Sequence, residues 1–168
     1  KGNDGQAMAS NLSKFSNIMR ETLESTYKEY VTIEQEMEFL NEYLEVQKIR
    51  FPQAFAYSVT ADKEVEIDDV LIPAMIIQPF IENAIWHGIM PKETGGKVSL
   101  NVAAKNGSIE IVIDDDGIGR EASQQNKSVS NTTHQSKGVN LTQARLELDN
   151  LLQQQQATLV TVDKKEKN

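Results

Sequence analysis

Two runs of alternating apolar residues, Val98, Leu100, Val102 and Ile109, Ile111, Ile113, flank the dipeptide Asn106-Gly107. Alternation with period two marks a half-buried strand, and Asn-Gly accepts the positive φ angles of a tight two-residue turn. The two runs are therefore expected to pair as an antiparallel hairpin. Upstream the period changes. Leu12, Phe15, Met19, Leu23 and Tyr27 recur at helical spacing, and Met37, Leu40, Tyr43, Leu44 and Gln47 mark one face of a second helix. Thr32 with Gln35 predicts a capping box at its start, and Pro52 lies just past its end. Phe55, Tyr57 and Val59 predict a strand, and Val65 with Ile67 a second short one. Pro73 suits the first turn of a helix, and Phe80 to Gly88 reads as a helix that Pro79 breaks or restarts and Gly88 stops. Leu141, Ala144, Leu148 and Leu151 predict a last helix, and Ala157 to Val162 a last strand. The class expected is α/β.

Composition narrows the function. The chain has 168 residues, the size of one domain with a short extension, and carries a formal net charge of -8. A duplex-binding surface needs the opposite balance, so nucleic acid is not expected as a partner. The absence of cysteine excludes a disulfide framework, a thiolate metal site and a Cys nucleophile, and suits a reducing compartment. Val70 to Ile77, the longest apolar stretch, is interrupted by Pro73 and far too short to cross a bilayer. A start at Lys1 without Met and a charged end, Lys164 to Asn168, read as a piece of a longer protein.

Three clusters carry chemical potential. In Gln78 to Gly88 (QPFIENAIWHG), Asn83 and His87 share a helix face that is otherwise apolar. As isolated residues they read as a capping Asn and a rim His. The sharper reading is a metal or phosphate site, because a carboxamide oxygen is a neutral hard ligand suited to Mg²⁺. In Asp114 to Arg120 (DDDGIGR), three acids and a Gly-x-Gly follow a strand. That is either an ordinary acidic turn or a site where a carboxylate accepts from an exocyclic amino group while glycines admit a flat ring or phosphates. Ser136-Lys137-Gly138 opens the last helix, where free N–H groups and the helix dipole favour anions. Between the second and third clusters, Arg120 to Lys137 is almost devoid of apolar residues, as in a lid, a binding loop or a disordered insertion.

The order PFIENAIWHG, DDDGIGR, SKGVNLTQARL resembles the ATP-binding domain of sensor histidine kinases of the LytS/YehU type, within the GHKL ATPase superfamily. The likeness extends to YVTIEQEMEFLNEYLEVQKIRF, similar to the family's approach segment between phosphoacceptor region and ATP site. It implies a two-layer α/β (α+β) sandwich of the Bergerat type, with a helical linker over residues 1–52, an ATP-binding domain over 53–168 and a lid at about 120–137. By the same resemblance Asn83 is the Mg²⁺ ligand and His87 belongs to its signature. Asp115 contacts the adenine amino group, Gly117 and Gly119 are the glycines of that box, Lys137 stands in the lid and Gly138 is a lid glycine. Trp86 stands where the family often has Lys, Asp116 replaces a common Asn, and Ser136 replaces a second lid glycine. Neither the phosphoacceptor motif, resembling Ile-Asn-Pro-His-Phe-Leu-Phe-Asn, nor a closing Gly-Thr-x-Val segment occurs.

What the resemblance implies is a cytoplasmic protein-histidine kinase catalytic region of a two-component system. It would use ATP and Mg²⁺ and pass the γ-phosphoryl group to a His outside this chain. Its implied partners are the upstream phosphoacceptor helix, a response regulator and a second copy in the full-length protein, a membrane-anchored sensor whose anchor lies outside this piece. Trp86 and Ser136 keep an alternative open, a degenerate nucleotide-binding or scaffolding domain that signals through helix contacts. A stand-alone ATPase is disfavoured by Pro79, which stands one helical turn before Asn83 where a water-activating Glu would be needed.

Overall fold

The computed structural model describes residues 9–20, 28–119, 136–153, 157–160 and 162. Helix α1 covers 9–20, β1 is Tyr30–Thr32, α2 is Ile33–Arg50, β2 is Phe55–Ala61 and β3 is Leu71–Pro73. Helix α3, Gln78–Asn83, runs directly into a π-helical turn, Ala84–Ile89. Strands β4, Gly96–Lys105, and β5, Ser108–Asp115, precede helix α4, Ser136–Gln153. The chain is a mixed α/β fold.

Helix α2 begins where its sequence places it. The Thr32 hydroxyl accepts from Gln35 N at 3.1 Å, and Thr32 N donates to the Gln35 side chain at 3.2 Å. Glu34 and Glu36 stand in the first turn, Lys48 and Arg50 in the last, the order that the helix dipole favours. The helix ends at Arg50, and its buried face holds Met37, Leu40, Tyr43 and Leu44, together with Ile33, Phe39 and Glu36.

The predicted hairpin closes as β4 and β5, antiparallel from Val98↔Asp115 to Lys105↔Ser108. Asn106 (φ 52°) and Gly107 (φ 78°) make the turn. On its other edge β4 pairs in parallel with β2, Phe55↔Gly96 to Ala61↔Val102, giving the order β2-β4-β5. Parallel neighbours need a long crossover, and the crossover between β2 and β4 contains α3 and the π turn. Val98, Leu100 and Val102 on β4 join Leu40 and Leu44 of α2 and Ile81, Ile85 and Ile89 of the crossover in one buried core.

Several local expectations gave way to tertiary contacts. Pro73 opens no helix; it ends β3, an edge strand antiparallel to β1, where a residue lacking N–H is tolerated. Val65 and Ile67 form no strand. The carbonyls of Ile67 and Val70 accept instead from Glu34 N (2.9 Å) and Ile33 N (3.0 Å), supplying the acceptors that the first turn of α2 lacks. Of the two outcomes expected of Pro79, breaking or restarting the helix, the second holds: it lies in the first turn of α3. On α1 the expected core face is outside: Leu12 (66%), Phe15 (52%) and Met19 (51%) are exposed, while Ile18 enters the core and Lys14 pairs with Glu45 of α2. Leu23 and Tyr27 lie outside the described residues. Residues 157–160 and 162 are not in a strand. The Asn150 carboxamide takes both backbone groups of Ala157, accepting from its N at 2.9 Å and donating to its O at 2.6 Å, and so stands in for a ladder partner.

Candidate nucleotide site

The first and second clusters meet. Gly88 does not stop its helix; the π turn carries on to Ile89, and Met90 N donates to Ile85 O at 2.8 Å across five residues. Gly88 instead lets the acidic turn come close. A Cβ on it would stand 2.7 Å from Asp115 Oδ1, and one on Gly117 would stand 2.4 Å from Gly88 Cα. Ile118 N donates to Gly88 O at 2.9 Å, fixing the contact. A π turn inserted in a helix re-aims the residues around it and recurs at functional sites.

Asp115 ends β5 with an exposed side chain, and its Oδ1 accepts from Gly117 N at 2.9 Å. That bond orients the carboxylate, whose oxygens can only accept, within the turn that follows β5. Gly119 has φ 80°, a conformation that a side chain would strain. Asp116 plays a different part. Its Oδ1 accepts from Lys97 N at 2.7 Å and lies 3.5 Å from Lys92 Nζ, and Asp116 N returns a bond to Lys97 O at 3.2 Å. Asp116 thus ties the start of β4 to the end of β5, and what its acid adds over a carboxamide is the pair with Lys92.

Asn83 ends α3 half-buried and precedes the π turn without capping it through its side chain. His87 lies on the π turn, half-buried, with its Nε2 closed off from solvent. Trp86 stands edge-on to Phe51 with ring centroids 5.6 Å apart. It also hydrogen-bonds to Tyr43, whose hydroxyl is pushed up to about 12 by burial and by the neighbouring charge of Glu82. Where the family often carries Lys, this chain carries a ring that packs on α2. In the third cluster Lys137 and Gly138 stand in the first turn of α4, which opens at Ser136. The rest of the expected lid, 120–135, lies outside the described residues.

Sequence reasoning missed Glu36. It is 3% exposed; its Oε2 accepts from Met75 N at 3.0 Å and its Oε1 from Ile77 N at 3.1 Å. Burial raises its pKa above the ordinary glutamate value, against the lowering effect of those bonds and of the Arg145 charge. The signal was present: an acid at position 36 occupies the same helical stripe as Leu40, Tyr43 and Gln47. Among the described residues no cluster of three or more His, Asp or Glu side chains has metal-site geometry, and no helix is long and apolar enough to cross a membrane.

Comparison with known proteins points to sensor histidine kinases. A family model described as Histidine kinase matches residues 1–55. The sensor protein LytS of Oceanobacillus iheyensis is 32% identical over 110 residues, 66% of this chain and 18% of that protein. The sensor histidine kinase YpdA of Escherichia coli is 32% identical over 109 residues, 65% of this chain and 18% of that protein. LytS of Staphylococcus epidermidis is 27% identical over 113 residues, 67% of this chain and 19% of that protein. The chain thus spans less than one fifth of the length of these curated relatives. On its motifs and its relatives together, the chain is similar to the sensor histidine kinases of the LytS type, and the matches support that family.

Proposed function

We propose that this chain is the ATP-binding catalytic region of a two-component sensor histidine kinase, with a GHKL-type nucleotide fold over residues 53–168 and a linker to the phosphoacceptor region over 1–52. One observation carries the reading: the backbone contact of Gly88 with Gly117, which brings the Asn83 helix and the Asp115 turn to one place. Two clusters separated in sequence have no other evident reason to share a contact that excludes even a methyl group. Asp115, oriented by Gly117 N, accepts from the adenine amino group; guanine presents a carbonyl there, and two acceptors repel. Asn83 offers its carboxamide oxygen to Mg²⁺, and His87 braces the π turn behind it. Gly119 leaves room beside the nucleotide, and Lys137 and Gly138 are the lid residues that would close over the phosphates. The metal, when bound, neutralises phosphate charge, and catalysis then rests on positioning and electrostatics more than on covalent chemistry.

His87 lies on the π turn, which speaks against an in-line position for it, and His134 lacks the Pro and Phe neighbours of the family's acceptor; in this reading the acceptor is a His outside this chain, carried by the upstream helix in one copy or its dimer partner. A response regulator would take the phosphoryl group onward. The rival is a scaffolding domain, favoured by Trp86, whose ring is committed to Phe51 and Tyr43. Titration calorimetry of the chain with Mg²⁺ and a non-hydrolysable ATP analogue separates them. Binding of ATP in preference to GTP, largely lost in Asp115→Asn at unchanged circular dichroism, is expected; equal affinity of variant and parent rejects the assignment of Asp115.

A further inference from the structure

Helix α3 starts without a cap of its own. Its N-cap residue, Ile77, has no side-chain oxygen, and Pro79 in the first turn has no N–H. The missing acceptor comes from another helix, since both oxygens of Glu36 on α2 receive backbone N–H groups of the segment that leads into α3. A carboxylate at a helix start meets the unpaired N–H groups and the positive end of the dipole together. The segment it holds is strained: Met75 has φ 59°, uncommon for a residue other than glycine. Arg145 of α4 grips the same segment from the other side, donating to Ala74 O at 2.7 Å and to Glu29 O at 3.2 Å. Two turns beyond Glu36 on α2, Tyr43 reaches Glu82 near the end of α3 and Trp86 on the π turn beyond it. Helix α2 therefore holds α3 at its entry and at its exit, and Asn83 lies between Glu82 and Trp86.

We propose that Glu36 is a positioning residue for the nucleotide site: it clasps the entry to α3 so that Asn83 keeps the place from which it meets the metal, an inference that rests on the nucleotide-binding reading above. A buried acid gains little stability over an apolar residue of the same size, and a fold that needed only a filled core had cheaper choices at position 36. What the carboxylate adds is direction. It sets two amides one residue apart in a strained turn, and through them the register in which α3 hands over to the π turn. Arg145 completes the clasp and links it to the helix that follows the expected lid.

The test uses the 168-residue chain, its Glu36→Gln and Arg145→Lys variants, and a non-hydrolysable ATP analogue, titrated calorimetrically with Mg²⁺ and with EDTA. Glutamine keeps the shape but leaves one of the two amides without an acceptor. If Glu36 acts through Asn83, Kd with Mg²⁺ rises about fivefold in Glu36→Gln, as the loss of one directed hydrogen bond would give, and stays within about twofold in EDTA. Arg145→Lys, which keeps the charge but cannot bridge two carbonyls, moves affinity the same way by less. Equal losses with and without Mg²⁺ would mean a merely structural clasp and overturn the proposal, as would unchanged affinity. Should Glu36→Gln fail to fold, Arg145→Lys decides by the same comparison. Should the parent bind no analogue, the nucleotide reading fails by itself, and the clasp is judged by nuclear magnetic resonance. Faster amide exchange at Met75 and Ile77 with a displaced Asn83 carboxamide signal in Glu36→Gln then supports it, and an unmoved Asn83 signal overturns it.

Discussion

Gly88 and Gly117 lie backbone against backbone: a Cβ built on Gly117 would fall 2.4 Å from Gly88 Cα and 2.5 Å from Gly88 C. Neither atom belongs to a flexible side chain, so the contact has no easy way to yield. It joins the π turn after α3 to the turn after β5, and Asn83 and Asp115, the residues proposed to meet metal and adenine, end the elements that lead into those two pieces.

Gly117→Ala is therefore expected to push the turn off the helix. Overpacking of this kind costs about 1–3 kcal/mol, and nucleotide affinity should fall with it because Asp115 moves as well. Trp86, the single tryptophan, stands two residues from Gly88 and gives a fluorescence reading of the π turn during urea unfolding. Gly107→Ala is the control: a Cβ there meets nothing within 4 Å, so its effect is confined to the strain of φ 78°. Unaltered stability and fluorescence in Gly117→Ala would refute the contact.

Asn83→Ala separates a metal role from a packing role. Its side chain does not cap the π turn, so removing it should leave the unfolding midpoint within about 0.5 kcal/mol of the parent. Affinity for the ATP analogue should drop when Mg²⁺ is present and change little in EDTA if, as proposed, the carboxamide acts through the ion. A matching loss in both buffers would show that Asn83 shapes the helix rather than binding metal.

Asp116→Asn should behave unlike Asp115→Asn although the two positions are neighbours. The amide oxygen can still accept from Lys97 N, so what disappears is the ion pair with Lys92, whose aspartate side chain is 58% exposed. Exposed pairs contribute about 0–1 kcal/mol, and neither group takes part in adenine recognition. The expected result is a slight loss of stability that salt erases and an unchanged ATP affinity; a large fall in affinity would place Asp116 in the site.

The buried Glu36 imposes a pH dependence of known sign. Burial raises its pKa in the folded chain above the ordinary value of 4.5. The native state then holds a proton that the unfolded chain has released, so stability falls as pH rises through the window between the two values. Its contribution is complete below 4.5 and lost above the raised folded value. The stability advantage of the parent over Glu36→Gln, from urea midpoints between about pH 4 and 8, should shrink as pH rises. An advantage that grows with pH would mean that the backbone N–H bonds outweigh the burial.

The hairpin, the capping box and the limits of α2 were legible in the sequence because each is decided within a few residues. Asn106 and Gly107 accept positive φ wherever they stand, and Thr32 reaches Gln35 N without help from the rest of the chain. For the candidate site the motif order offers a proposed set of residues, Asn83, His87, Asp115, Gly117 and Gly119; the fold adds that its two stretches touch at Gly88 and Gly117. That contact was not legible. Gly88 reads as a helix stop until the Asp115 turn arrives from across β4 and β5, and Pro73 reads as a helix start until Tyr30 pairs with it. Glu36 reads as one more acid on a charged helix. Only the fold brings it to Ile77, 41 residues away, and brings Arg145 to Ala74, 71 residues away. Local chemistry fixes φ, caps and periodicity; which polar group is buried against which strained turn depends on contacts between segments that no short window of sequence contains.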